Sequence, residues 1–196
     1  MTAGSEEPVR TSGSLGNPEA LRILAAAGDI LRQGEALLGV LSAEHYVRRL
    51  PAAFHGTIGG HVRHCLDHFT SLLRGLDSDL VDYDHRDRDP RIEGDPEYAL
   101  GVLRRVRMEL EQVDPGVLTT PVSARCEVSY DHGDSPVTRS SLGRELVYAV
   151  AHGIHHYAII SVMARLMGAA LPPHFGVAPS TVAHRRSLAA AERPHT

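Results

Sequence analysis

Four stretches of this chain repeat apolar residues near the 3.6-residue period of an α-helix. That pattern confines the fold to helices packed on helices. The first is "NPEALRILAAAGDILRQGEALLGVL", where Asn17 caps a helix with Pro18 in its first turn and Leu21, Ile23, Leu24, Ile30, Leu31, Leu37, Leu38 and Leu41 mark its apolar positions. The second begins at Thr57 and runs through "TIGGHVRHCLDHFTSLLRGL". Its early glycines, Gly59 and Gly60, cost helix propensity of about 1 kcal/mol each, so they are expected where backbones approach closely. Asp95 and Pro96 open the third, "PEYALGVLRRVRMELEQV", with Leu100, Leu103, Val106 and Leu110 on its buried side. Ser141 caps the fourth, "SLGRELVYAVAHGIHHYAIISVMARLMG", and Gly168 stops it.

The intervening segments are short or polar. "SAEHYVRRL" reads as a helical connector, and "DSDLVDYDHRDRDPRIEG" as a solvated loop of acids and arginines. Counted from Asp77, that loop fails the calcium template, because Asp82 stands where Gly is needed and Arg88 where Glu closes the site. Between Pro115 and Ser140 the runs "TTPVSARCEVSY" and "SPVTRSS" flank "DHGD", which looks like a hairpin turn. The expected fold is therefore all-α, an up-down four-helix bundle over residues 17–186 with a small hairpin-like insertion before the last helix. Residues 1–16 are expected to be a disordered tail, 187–196 a flexible one, and the Pro-rich "AALPPHFGVAPSTVAHRR" to pack back on the bundle.

Composition narrows the function classes. In 196 residues the net charge is −4 and the arginines are scattered among acids, so no basic stripe for a phosphate backbone is present. Cys65 and Cys126 form no CxxC pattern, which suits a reducing compartment. The opening "MTAGSEEPVRTSGSLG" lacks the apolar core of a secretion signal, and no uninterrupted apolar run is long enough to span a membrane, so a cytoplasmic location is expected.

Histidine is the unusual component, at 13 copies. His152 and His156 stand four apart, one turn on one helical face. His61, His64 and His68 form a second stripe on another helix. If the stripes face each other, one or two rings of the second helix meet the His152 and His156 pair, and three imidazoles make a half-open shell for a divalent ion. Imidazole suits Zn, Ni, Cu and Fe. Asp67 or Glu145 could take the second ring N–H of a ligand. His155 points about 100° away from His156 and is expected either outward or in support of a ligand from behind. Cys65, off the stripe, reads as a buried thiol. His45, His55, His85, His174, His184 and His195 read as ordinary boundary or surface groups.

Other chemistries lack their motifs. HExxH would need Glu at position 153, which is Gly, and neither GxSxG, GxGxxG nor GxxxxGK[ST] occurs.

Three segments, "TIGGHVRHCLDHF", "SSLGRELVYAVAHGIHHYAIISVMARLMG" and "PPHFGVAPST", resemble the DinB and YfiT-like superfamily of four-helix metalloproteins, and the likeness spans residues 17–182. The resemblance implies a divalent ion held by His64, by its position before "CLDH", together with the pair His152 and His156. Tyr157 and Ala158 depart from the Arg-Gly common in relatives, and the extra histidines 61, 68 and 155 leave the second-helix ligand open. Implied activities include thiol transfer with mycothiol or bacillithiol, a mycothiol-dependent isomerisation, and the helical domain of iron enzymes that join sulfur to histidine derivatives. The expectation is a metal-dependent enzyme acting on a small-molecule substrate, with Zn, Ni or Fe and a low-molecular-weight thiol as cosubstrate. The alternative is a non-catalytic metal-binding or stress-response bundle. Tyr83, Asp84, Arg86 and Glu93 are expected to reach over the mouth of the bundle. The resemblance also implies pairing as a homodimer, while the scattered charge and the lack of a long apolar run point to no nucleic acid and no membrane as partner.

Overall fold

The computed structural model describes residues 17–130 and 133–191. The expected tails 1–16 and 192–196, His132 and His195, and half of the "DHGD" turn lie outside these residues. The chain is mostly helical, with one small mixed sheet. Four helices are long: α1 (Pro18–Leu38), α3 (Ile58–Gly75), α5 (Pro96–Glu111) and α6 (Leu142–Leu166). Short helices α2 (Ala43–Val47) and α4 (Pro90–Gly94) lie between them, and α7 (Pro179–Ala191) follows.

Each long helix starts on its expected cap. The side chain of Asn17 accepts the Glu19 N–H at 3.0 Å, Thr57 accepts from Gly60 at 2.8 Å, and Asp95 accepts from Glu97 and Tyr98. Ser141 accepts from Arg144. The first helix ends three residues short of Leu41, since the amides of Val40 and Leu41 both turn back to Leu37 and Ser42 then caps α2. Gly168, in the left-handed region at φ +71°, ends the last long helix as expected.

Helix α1 packs on α5 and α6, and α3 packs on the same two. Leu31, Leu37, Ile58, Leu66, Phe69, Leu103, Leu146 and Ile160 meet in the resulting core. Leu100, expected on the buried side of α5, is only partly buried against it. The early glycines of α3 do mark a close approach, because a Cβ on Gly59 would stand 2.1 Å from the Glu93 carbonyl oxygen.

The expected solvated loop is partly structured. Asp89 caps α4 with Pro90 at its first position, and Leu80–Asp82 form strand β1. β1 pairs in parallel with β2 (Pro121–Arg125), which pairs antiparallel with β3 (Val137–Ser141), so the expected hairpin is the outer two-thirds of a three-stranded sheet. The strand forms because Val81 is fully buried and its neighbours' backbone groups find partners on β2. At the other end, the helix through Ala191 occupies residues 187–191, expected as flexible tail; all residues of α7 remain largely exposed or half-exposed.

By length and composition α6 could cross a membrane, the one such helix among the described residues. In this fold it lies against α1 and α3 and carries Glu145, His152 and His156.

Candidate metal centre

Packing of α3 against α6 turns the two histidine stripes toward each other. His64, His152 and His156 each offer a ring nitrogen, and these three atoms lie within 4.8 Å of one another. The Nε2 atoms of His64 and His152 are 2.9 Å apart. His156 instead brings its Nδ1 to within 2.9 Å of Nδ1 of His61. All four rings are half-buried. The remaining member of the α3 stripe, His68, is buried; its Nδ1–H donates to the His64 carbonyl at 2.9 Å, and the ring stacks on His152 with centroids 3.9 Å apart. His155 is exposed, the outward of its two expected placements.

Burial acts on the whole cluster. It is the largest cause lowering His64 to about 2, His152 to about 3 and His68 and His156 to about 4; neighbouring histidines add to the effect at His64, His152 and His156, and Arg86 adds to it at His68. These rings are therefore neutral at pH 7, the form that binds metal ions. A linked consequence is acid sensitivity. Below the ordinary histidine value of 6.5 the unfolded chain takes up protons that the folded cluster refuses, so stability present above pH 6.5 is lost progressively as pH falls through about 4 to about 2. Burial raises the Asp67 carboxyl, which works in the opposite direction, but it is one group against four. Urea midpoints of chelator-treated protein should fall steadily between pH 7 and 5; a flat profile would contradict the neutral cluster.

A pocket of about 450 Å3 opens beside the cluster, walled by His64, His68 and His152 from the two helices, by Tyr83, Asp84, Arg86 and Arg88 from the loop after β1, and by Cys126 and Tyr148. Three of the four expected loop residues are thus at the mouth. Glu93 is not: it accepts from Thr57 and pairs with Arg63 at 3.3 Å. Asp82 holds the loop by accepting the amides of Asp84 and His85. Arg86 reaches in so that its Nη1 lies 2.6 Å from Nδ1 of His64.

Neither expected acid touches a histidine through a hydrogen bond. Glu145 is buried and accepts from Tyr83 at 2.8 Å and from Ser140, while Asp67 pairs with Arg63 at 3.5 Å. Both sit on the right helices, but their carboxylates turn toward closer donors. The Tyr83 ring stacks on His68, so the Tyr83–Glu145 bond holds the wall against which His68 rests. Tyr83→Phe should cost about 2 kcal/mol in unfolding free energy, because the buried carboxylate loses a donor. An unchanged urea midpoint would show that the bond contributes nothing. Cys65 is buried as expected, and burial pushes its thiol well above the ordinary range.

Tyr148 and Cys126 were not foreseen as pocket residues. Tyr148 had a signal, since it precedes His152 by one turn on the same stripe. Cys126 had none, because its place depends on the sheet.

The sequence matches the DinB family over residues 23–183, a span that includes α3, α6 and every histidine of the cluster. The chain belongs to the DinB family. Over 105 residues it is also 34% identical to FK506-binding protein 5 of Rhizopus delemar, a stretch that covers 54% of this chain and 27% of that protein. The DinB chain thus spans about a quarter of the length of that curated relative. No solved structure matches it significantly.

Proposed function

We propose that this DinB-family protein holds one divalent transition-metal ion, Zn, Ni or Fe, through His64, His152 and His156, and works as a metal-dependent enzyme on a small molecule. The observation that carries this reading is the meeting of three neutral imidazole nitrogens within 4.8 Å, two of whose rings also wall an open pocket. Such a donor set fits these ions, and at neutral pH it need lose no charge-bearing proton to bind one. When bound, the ion would polarise a substrate oxygen or stabilise a thiolate.

The chain's own residues supply the rest. In this reading the four long helices form an up-down bundle that keeps the stripes opposed. His68 is anchored by its Nδ1–H, which leaves Nε2 as the acceptor on a ring that lines the pocket. Arg86 and Arg88 offer cationic donors there, and Tyr148 a hydroxyl. A low-molecular-weight thiol such as mycothiol or bacillithiol is the proposed cosubstrate, and the reaction is its S-transfer to an electrophile. The proposal places this work in the cytoplasm, with no nucleic acid or membrane as partner and with a homodimer as the assembly.

An open wall favours catalysis over a purely structural ion. Protein loaded in turn with Zn, Ni and Fe should convert such a thiol and chlorodinitrobenzene to a thioether, with release of chloride and the thiol proton, above the blank rate, and chelation should abolish the gain. Stoichiometric metal with no turnover for any thiol would favour the non-catalytic, metal-binding role.

A further inference from the structure

The contact between Arg86 and His64 has a consequence for how an ion enters. A guanidinium carries N–H donors, has no acceptor and stays protonated in proteins. With Nη1 of Arg86 2.6 Å from Nδ1 of His64, that nitrogen is the acceptor. A neutral ring then carries its hydrogen on Nε2, which faces Nε2 of His152 at 2.9 Å. An ion on Nε2 would send the ring hydrogen to Nδ1, where two donors would meet head-on. An ion on Nδ1 would need the place where Arg86 stands. The two contacts exclude each other for either nitrogen.

We propose that Arg86 is a displaceable plug on His64, which leaves the ring when an ion is bound and closes on it when the ion departs. The proposal rests on the reading of His64 as a ligand. The surroundings provide somewhere for the guanidinium to go. Nε of Arg86 is buried without a hydrogen-bond partner, and so are Oδ2 of Asp67 and Oδ2 of Asp84. Asp67 Oδ2 has only the longer ion pair to Arg63 at 3.5 Å. Arg86 shares a small cleft of about 70 Å3 with Asp67 and the larger pocket with Asp84. A swing to either side would therefore join an unpaired donor to an unpaired carboxylate oxygen, offsetting the lost bond to His64. Because the loop bearing Arg86 also forms the pocket wall, loading the centre and reshaping the pocket would be one event.

The test compares wild type with Arg86→Met and Arg86→Gln. Zinc affinity is read by competition with a chromophoric chelator, and the tautomer of His64 by long-range nitrogen-15 spectra before and after zinc. Before zinc, the wild-type ring should carry hydrogen on Nε2, and the methionine variant should lose that preference. The methionine variant should bind zinc about tenfold more tightly, having no plug to remove. The glutamine variant should bind more tightly still, because its amide oxygen can accept the Nδ1–H of the loaded ring. Equal affinities for the two neutral variants would reduce Arg86 to a simple charge and overturn the plug. So would wild type binding most tightly, or His64 Nδ1 carrying neither hydrogen nor zinc in the zinc form. If none of the three proteins binds zinc, nickel or iron, the metal-centre reading falls as well.

Discussion

Replacing His152 by alanine should lower metal affinity by about 100-fold or more and leave the fold intact. The size of the effect follows from its position. Loss of a group that merely orients a ligand costs 10- to 100-fold in typical metal sites, and His152 is the ring that approaches His64 at 2.9 Å while sharing the α6 stripe with His156. Its side chain is only half-buried and lines an open pocket, so truncation adds volume to a space already reached by solvent rather than a cavity in the core. Isothermal titration with zinc and a circular-dichroism melt together check both halves. Unchanged affinity with a native melt would remove His152 from the site.

Gly59→Ala should be the most damaging single-methyl change in α3, at about 3 kcal/mol, the upper part of the ordinary range for overpacking. The added Cβ would lie 2.1 Å from the Glu93 carbonyl oxygen and 2.8 Å from Cε1 of Tyr46. Neither neighbour can give way easily. The carbonyl is backbone at the end of α4, and Tyr46 is fully buried with its hydroxyl bound to the Ile92 carbonyl at 2.6 Å. Moving α4 would also pull on the loop that carries Tyr83 and Arg86. A urea midpoint close to wild type would mean that α3 and α4 separate at little cost. Gly101 provides the control: a Cβ there meets nothing within 4 Å, and the position lies within α5, so alanine should be neutral or slightly stabilising.

What could be read from the sequence divides along the line between local and non-local causes. Asn17, Thr57, Asp95 and Ser141 announce their helices because a cap acts on amides two or three residues away. Asp89 and Pro90 carry the same signature as Asp95 and Pro96, so α4 was legible too, though hidden in a charged stretch. Strand β1 was not: three residues in an acid-rich stretch acquire their partners from Ser123, Ala124 and Arg125, about forty positions on. For the site, spacing alone puts His152 beside His156 and sets His61, His64 and His68 on one face. Which α3 ring meets the α6 pair depends on how the helices are rotated against each other, and that choice came from the resemblance before it came from packing. The structure brings His64 to the pair, sets His61 against His156 and stacks His68 on His152. Asp67 and Glu145 lie near enough to be named from sequence, yet Arg63, Tyr83 and Ser140 capture them, and no helical periodicity reports a competing donor from a loop or strand.

That the opposed histidine faces hold an ion is what every other role proposed for the pocket depends on. It is tested most directly by elemental analysis of protein purified without an affinity tag or added metal, followed by X-ray absorption at the edge of the metal found. About one transition-metal ion per chain, with a first shell dominated by imidazole nitrogen at about 2.0 to 2.1 Å for zinc, is the predicted result. No bound metal, even after reconstitution with zinc, nickel and iron, would contradict it and leave the cluster as a set of neutral histidines packed between two helices.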